Sequence, residues 1–173
     1  MSIALIIVQG TVTVTLEPSL SIGLRQDYRP IEAATLHRMA DGTGLKQSRW
    51  SKLATTLSGD EVLPVSLEAL DYSSPMAIWC VQPRRLSSVS AVIALPAARR
   101  TDVPPYGFAL VSGRLVPVDV AVVGDVATLD TVAGASGYAL YYHPILTVYA
   151  VRPTESGDIR NARYGWELTA EEV

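Results

Sequence analysis

The sequence predicts a mainly β protein, built from antiparallel strands with little helix. Three observations carry this expectation. In "TVTVTL", Val12, Val14 and Leu16 alternate with Thr11, Thr13 and Thr15, a period of two with β-branched residues on both faces. Farther on, Ser112-Gly113 and Gly124-Asp125 divide "YGFALVSGRLVPVDVAVVGDVATLDTV" into strand-length runs, and glycine accepts the positive φ of a tight turn. Helical patterning, in contrast, is confined to short stretches.

Each element can be justified in order. "MAIWCV" at 76–81 and "AVIAL" at 91–95 are short apolar runs bounded by Pro and Ser, as buried strands are. The whole of 104–151 reads as a meander of short antiparallel strands. In "RYGWELTAEEV", Tyr164, Trp166, Leu168 and Ala170 fall on one face of a closing strand. "PVSLEAL" at 64–70 could form two helical turns, with Pro64 suited to the first turn. Residues 83–88, 96–107 and 152–163 read as loops, the last as a long loop or mobile arm.

The stretch 41–59, "DGTGLKQSRWSKLATTLSG", admits two conformations. As a helix it places Trp50, Leu53 and Leu57 on one side, with Thr43 as cap and Gly59 as stop. As a strand it gains from the β-branched pair in Thr55-Thr56-Leu57. A strand or extended arm is the preferred reading.

Composition limits the class further. The chain has 173 residues, 49% apolar and only 18% charged, which is enough apolar content for a substantial core and argues against general disorder. So low a charge fraction fits a surface partly covered by other protein. A net charge of −3 gives no global attraction to nucleic acid or anionic lipid. Cys80 is the only cysteine, so neither an internal disulfide nor a cysteine metal cluster can form, and its apolar neighbours mark it as a buried small side chain. The N-terminal apolar run ends at Val8 and lacks a basic flank, unlike a signal peptide. No apolar run reaches the roughly 18 residues of a membrane helix. Synthesis in the cytosol without membrane insertion is expected.

A search for chemistry finds no constellation. His37 and His143 have no partner at metal-ligand spacing. No Gly-x-Ser-x-Gly occurs. "DGTG" at 41–44 lacks the Gly-Lys-Ser/Thr ending of a phosphate loop and reads as a hairpin turn. Asp60-Glu61 and Glu171-Glu172 are adjacent pairs that a strand would send to opposite faces, so neither forms a carboxylate dyad. The sequence therefore predicts no catalytic, cofactor-binding or metal-binding residues, and not an enzyme.

One charge asymmetry stands out. Arg38, Lys46, Arg49 and Lys52 face only Asp41 in their segment, while 53–82 carries Asp60, Glu61, Glu68 and Asp71 and no base. Lys46 and Lys52 are the only lysines of the chain. Such asymmetry suits a ring in which one copy's basic edge meets the next copy's acidic edge, a positively charged groove, or an ordinary solvated face with one anchoring Trp. Lys46, Arg49, Trp50 and Lys52 are thus the candidate interface or channel residues. No sequence-specific nucleic-acid motif is present.

Two resemblances extend the reading. "VAGASGYALYY" at 132–142 resembles the end of a fibronectin type III-like or Ig-like module, in which a small-residue turn leads into a strand with an inward tyrosine, here Tyr138. "RQDYRP" at 25–30, "MADGTGLKQSRWSKLATTLSG" at 39–59, "LEALDYSSPMAIWCVQPR" at 67–84 and the closing "YGWELTAEEV" resemble tail and baseplate proteins of long-tailed bacteriophages, most of all the distal tail protein class. That resemblance implies a tail-tube-like β-sandwich from 1–83 plus 144–173, with 84–143 as an inserted smaller β-sandwich. It also implies a virion location and a homo-oligomer, a hexameric ring or a trimer, that joins the tail tube to the baseplate hub. DNA would pass the ring without base readout. The chain is shorter than many members of the class, so a tail completion, decoration or other accessory protein stays open. A carbohydrate-binding or adhesin β-sandwich is the competing class. It requires aromatic side chains gathered on one exposed face, whereas in the sequence they are spread along apolar strands.

Overall fold

The computed structural model describes residues 3–19, 21–62, 65–158 and 160–173. It is mainly β with several antiparallel sheets, as the sequence predicts. Two compact units share the chain. One comprises Met1–Ile6 and Ile78–Leu146, the other Ile7–Ala77 and Thr147–Val173.

Strands β1 (Leu5–Gln9) and β2 (Val12–Leu16) are joined through Gly10, whose φ of +58° suits a residue without Cβ. Next come two strands of 18 residues each, β3 (Ser21–Arg38) and β4 (Gly44–Glu61). A 3-10 turn at Leu67–Ala69 is all that remains of the expected helix over 64–70, and Pro64 lies outside the described residues. β5 (Met76–Trp79), β13 (Ile145–Ala150), β14 (Thr154–Asp158) and β15 (Arg163–Glu172) complete the larger sheet. Its order is β2-β1-β5-β13-β15-β4-β3, with β14 beside β15.

The closing strand organises this sheet. Leu168 lies opposite Leu57, which in turn lies opposite Gln26 of β3. Trp166, Leu168 and Ala170 are buried, and Trp166 is 5% exposed. Along that face Gln26 donates to the Thr55 hydroxyl at 3.1 Å, and Thr55 donates to the Asp27 carbonyl at 3.0 Å. Two buried polar side chains are thereby satisfied between the strands.

The other unit holds β6 (Arg84–Ser88), β7 (Val92–Ala94), β8 (Tyr106–Val111), β9 (Arg114–Val118), β10 (Val120–Val123), β11 (Val126–Leu129) and β12 (Ala135–Tyr142). They form a four-stranded sheet, β6-β12-β8-β9, and a three-stranded sheet, β10-β11-β7. Ile93, Leu95, Ala127 and Leu129 from the smaller sheet's side pack with Ala109, Tyr138, Leu140 and Tyr142 of the larger one. Tyr138 points inward, and its hydroxyl accepts from the Val132 amide at 3.4 Å. A Cβ on Gly107 would lie 2.6 Å from Leu129 Cδ2 and 2.8 Å from Val120 Cγ2, so the glycine permits the close approach of the two sheets.

Three local expectations are corrected. "PRRLSS", expected as a loop, contains β6, because its polar residues need only backbone pairing to β12 while Leu86 alone packs inward. Residues 152–163, expected as a loop or mobile arm, contain β14, paired residue for residue with β15 from Thr154↔Glu167 to Asp158↔Arg163. All five β14 residues are exposed, so burial left no apolar signature. The segment 104–151 is antiparallel but not a meander. β12 lies between β6 and β8, and the hairpin β10–β11 joins β7 in the facing sheet, an arrangement that places a sheet on each side of one core.

Trp166→Ala should lower the stability of the larger sheet by about 3–5 kcal/mol, as expected for a buried aromatic. Thermal unfolding checks this, and an unchanged melting temperature would contradict the central position of β15.

Candidate functional site

β3 and β4 pair along nearly their whole length, from Ser21↔Glu61 to Arg38↔Gly44. Strand β15 supports β4 only over residues 54–61. The remaining part, residues 30–38 with 44–53, is therefore a ribbon of two strands. At about 3.3 Å per residue it is about 30 Å long. Pro30 sits on β3, the outermost strand of the sheet order, where a missing N–H costs no ladder bond.

The tip is a turn rather than a phosphate loop. The Met39 amide donates to Thr43 O and the Gly42 amide to Met39 O, each at 2.9 Å. Gly42 has φ +84°. The Thr43 amide donates to Asp41 Oδ1 at 3.0 Å, and Arg38 donates to Gly42 O at 3.1 Å. The Thr43 bonds hold the Asp41 carboxyl below its ordinary range.

Each sequence-predicted residue lies in the ribbon, in three different settings. Lys46 forms an ion pair with Glu32 at 2.6 Å on the same ribbon. Lys52 donates to the Val173 carbonyl oxygen at the ribbon's base. Beside it the Glu172 carboxylate accepts from the Leu53 amide at 3.0 Å, one residue past the end of the β15 ladder. Arg49 is the extra residue of a β-bulge, since Ala33 pairs with Trp50 and Ala34 with Ser48. A bulge bends and twists the strand and re-aims the side chains next to it. Trp50 follows that bulge on the face opposite the one carrying Leu57 and Trp166, and it is 49% exposed. Leu36 at 61%, Met39 and Leu45 are exposed along the same ribbon.

The expected charge pattern changes accordingly. Lys46 already has an acidic partner within its own chain. Of the acids in 53–82, Glu61 is buried and accepts from the Ser21 hydroxyl, and Asp71 accepts from Ser73 and Ser74. Outward the ribbon presents Leu36, Leu45 and Trp50 among exposed polar side chains that include Thr35, His37, Gln47, Ser48 and Arg49.

A second cluster escaped the sequence reading. Arg100 is buried, and it donates to Asp102 through both Nε and Nη2, at 3.1 and 2.6 Å. Its Nη1 donates to the carbonyls of Ala4, Trp79 and Cys80 at 2.7, 3.2 and 3.3 Å. Its guanidinium also lies 5.8 Å from the Trp79 ring centroid. One side chain thus ties the N-terminal segment to the end of β5. His143 beside it is 3% exposed, and its Nδ1 has no hydrogen-bond partner among the described residues. Burial first, then the Arg100 charge, push its imidazole below the usual histidine range; the Cys80 and Val81 carbonyls and Asp102 oppose this. The hydrogen bond from Arg100 holds the Asp102 carboxyl below its ordinary range. Charge neighbours in the sequence, "ARRTD", were the only available signal, and they read as loop. Among the described residues no group of three or more His, Cys, Asp or Glu side chains is placed to hold a metal ion.

No family model matches the chain, and no curated protein matches it significantly. The site therefore stands on its geometry.

His143 yields a pH prediction. Its folded pKa lies below the unfolded value of about 6.5, so the unfolded chain binds the proton first as pH falls. The stability contribution is complete above about pH 6.5 and is lost as pH drops through the folded pKa. Melting temperatures measured from about pH 8 to about pH 5 should fall in the wild type and fall less in His143→Gln. Parallel slopes would contradict a buried neutral imidazole.

Proposed function

We propose that the chain is a non-enzymatic structural subunit of a homo-oligomer, in which the β3–β4 ribbon of one copy packs against another protein surface. The carrying observation is the ribbon itself. Two strands with no third strand are marginally stable in water, and this pair exposes Leu36, Leu45 and Trp50 instead of covering them. Apolar side chains on both faces of a projecting ribbon are what an inserted arm requires. The bacteriophage resemblance of 25–30, 39–59, 67–84 and the C-terminal segment gives this reading its specific form, a ring subunit of the distal tail or baseplate between the tail tube and the hub. The insert over 84–143 belongs to the same form. Symmetric closure supplies each arm with an equivalent receiving surface.

The in-chain pairing of Lys46 ranks the contributions. An exposed ion pair is worth about 0–1 kcal/mol, whereas a large aromatic anchor can exceed 2 kcal/mol at an interface. Trp50→Ala should therefore break assembly, while Lys46→Ala and Lys52→Ala should mainly alter its salt dependence. Light scattering at two salt concentrations, with negative-stain imaging for ring symmetry, checks this. A monomeric wild type at all concentrations, or a Trp50→Ala protein that assembles normally, would overturn the proposal.

A further inference from the structure

The unit formed by Met1–Ile6 and Ile78–Leu146 carries a second exposed feature, independent of the ribbon. In β12, Tyr138, Leu140 and Tyr142 point into the core, so Tyr141 and Ala139 belong to the opposite face of the four-stranded sheet. The register continues that face across the strands. Tyr141 lies opposite Tyr106 and Arg85, Ala139 opposite Phe108 and Ser87, and Phe108 opposite Pro117. The rings of Tyr106 and Tyr141 are stacked, with centroids 5.1 Å apart and planes within 2°. Phe108 meets both edge-on, at 6.1 and 5.7 Å. Tyr106 is nevertheless 42% exposed. Burial, then the neighbouring Tyr141, raises its phenol above the ordinary value, so the group is a neutral hydroxyl at physiological pH.

β6, β8, β9 and β12 contain Arg84, Arg85 and Arg114 and no Asp or Glu. Of these, Arg85 shares the ring face, whereas Arg84 lies opposite the core-facing Tyr142 and Arg114 opposite Val111, which packs on the core. Arg85 stands at the end of the ring row, and its Nε donates to the Ser87 hydroxyl at 3.0 Å, which orients the guanidinium. We infer that this face binds an acidic saccharide. The C–H side of a sugar ring packs on the negative face of an aromatic ring. The phenol and serine hydroxyls match sugar hydroxyls, and a guanidinium matches a carboxylate in a forked pair. Mutual stacking fixes the three rings before any ligand arrives, which lowers the entropy lost on binding. Single-stranded nucleic acid fits less well. It needs open ring faces for successive bases and cations along the strand, whereas the inner faces of Tyr106 and Tyr141 cover each other and Arg85 sits at one rim.

The test uses the full chain with polygalacturonate, neutral dextran and oligo-dT as probes in titration calorimetry. Polygalacturonate should bind, more weakly at higher salt. Tyr106→Ala should weaken it about tenfold, the scale of one aromatic contact, and Tyr106→Phe should keep most of the binding. Arg85→Gln, at an exposed rim position, should remove the preference for polygalacturonate over dextran, and it carries the test alone if Tyr106→Ala does not fold. No binding of polygalacturonate, or binding untouched by both substitutions, would overturn the inference. So would tighter binding of oligo-dT, which would assign the face to nucleic acid.

Discussion

Pairing between β3 and β4 is the constraint on which the rest depends. Over residues 54–61 the pair is one part of a wide sheet, held by Leu57 against Leu168 and by the Gln26–Thr55 hydrogen bond. Beyond residue 54 only the two strands remain. Hydrogen bonds between two strands do not by themselves offset the backbone entropy of ordering some twenty residues at about 1–2 kcal/mol each. The free energy that orders the outer ribbon must come from side-chain burial. Within the chain that burial does not occur, since Leu36, Met39, Leu45 and Trp50 stay exposed.

The base of the ribbon is secured by Glu172 and Val173. The Glu172 carboxylate of β15 accepts the Leu53 amide, one residue beyond the backbone ladder, and Val173 O accepts from Lys52. A bulge at Arg49 then twists the ribbon just before Trp50. These features fix the direction in which the ribbon leaves the sheet. The smaller unit uses a different device. There a buried Arg100 gathers three backbone carbonyls, and a glycine at 107 lets two sheets close on one core. A buried guanidinium is tolerable because its charge is paired with Asp102 and its donors are used.

Much of this was legible in the sequence, and the exceptions share a cause. Alternation made β2 and β15 readable, and Ser112-Gly113 and Gly124-Asp125 marked real turns, with Ser112, Gly113 and Gly124 all at positive φ. The strand reading of 41–59 was also correct from Gly44 onward, where β4 begins. By contrast β6 and β14 carry almost no apolar residues, so only their backbone partners reveal them, and partners are non-local. The same applies to sheet order, because nothing in 104–151 tells that β12 skips to β6. Side-chain environment was the least visible layer. Tyr141 joins Tyr106 and Phe108 on one face although it is remote from them in sequence. Arg100 looked like loop charge because its acceptors, Ala4, Trp79 and Cys80, are remote in the chain.

The central claim is that the outer ribbon is ordered by a partner surface and not by the chain alone. Amide hydrogen exchange of the wild type, in dilute and in concentrated solution, tests it most directly. Amides of residues 54–61 should be protected under both conditions, because β15 holds them. Amides of residues 31–38 and 44–52 should exchange quickly when dilute and become protected when concentrated. Equal and strong protection of the outer ribbon in dilute monomer would contradict the account.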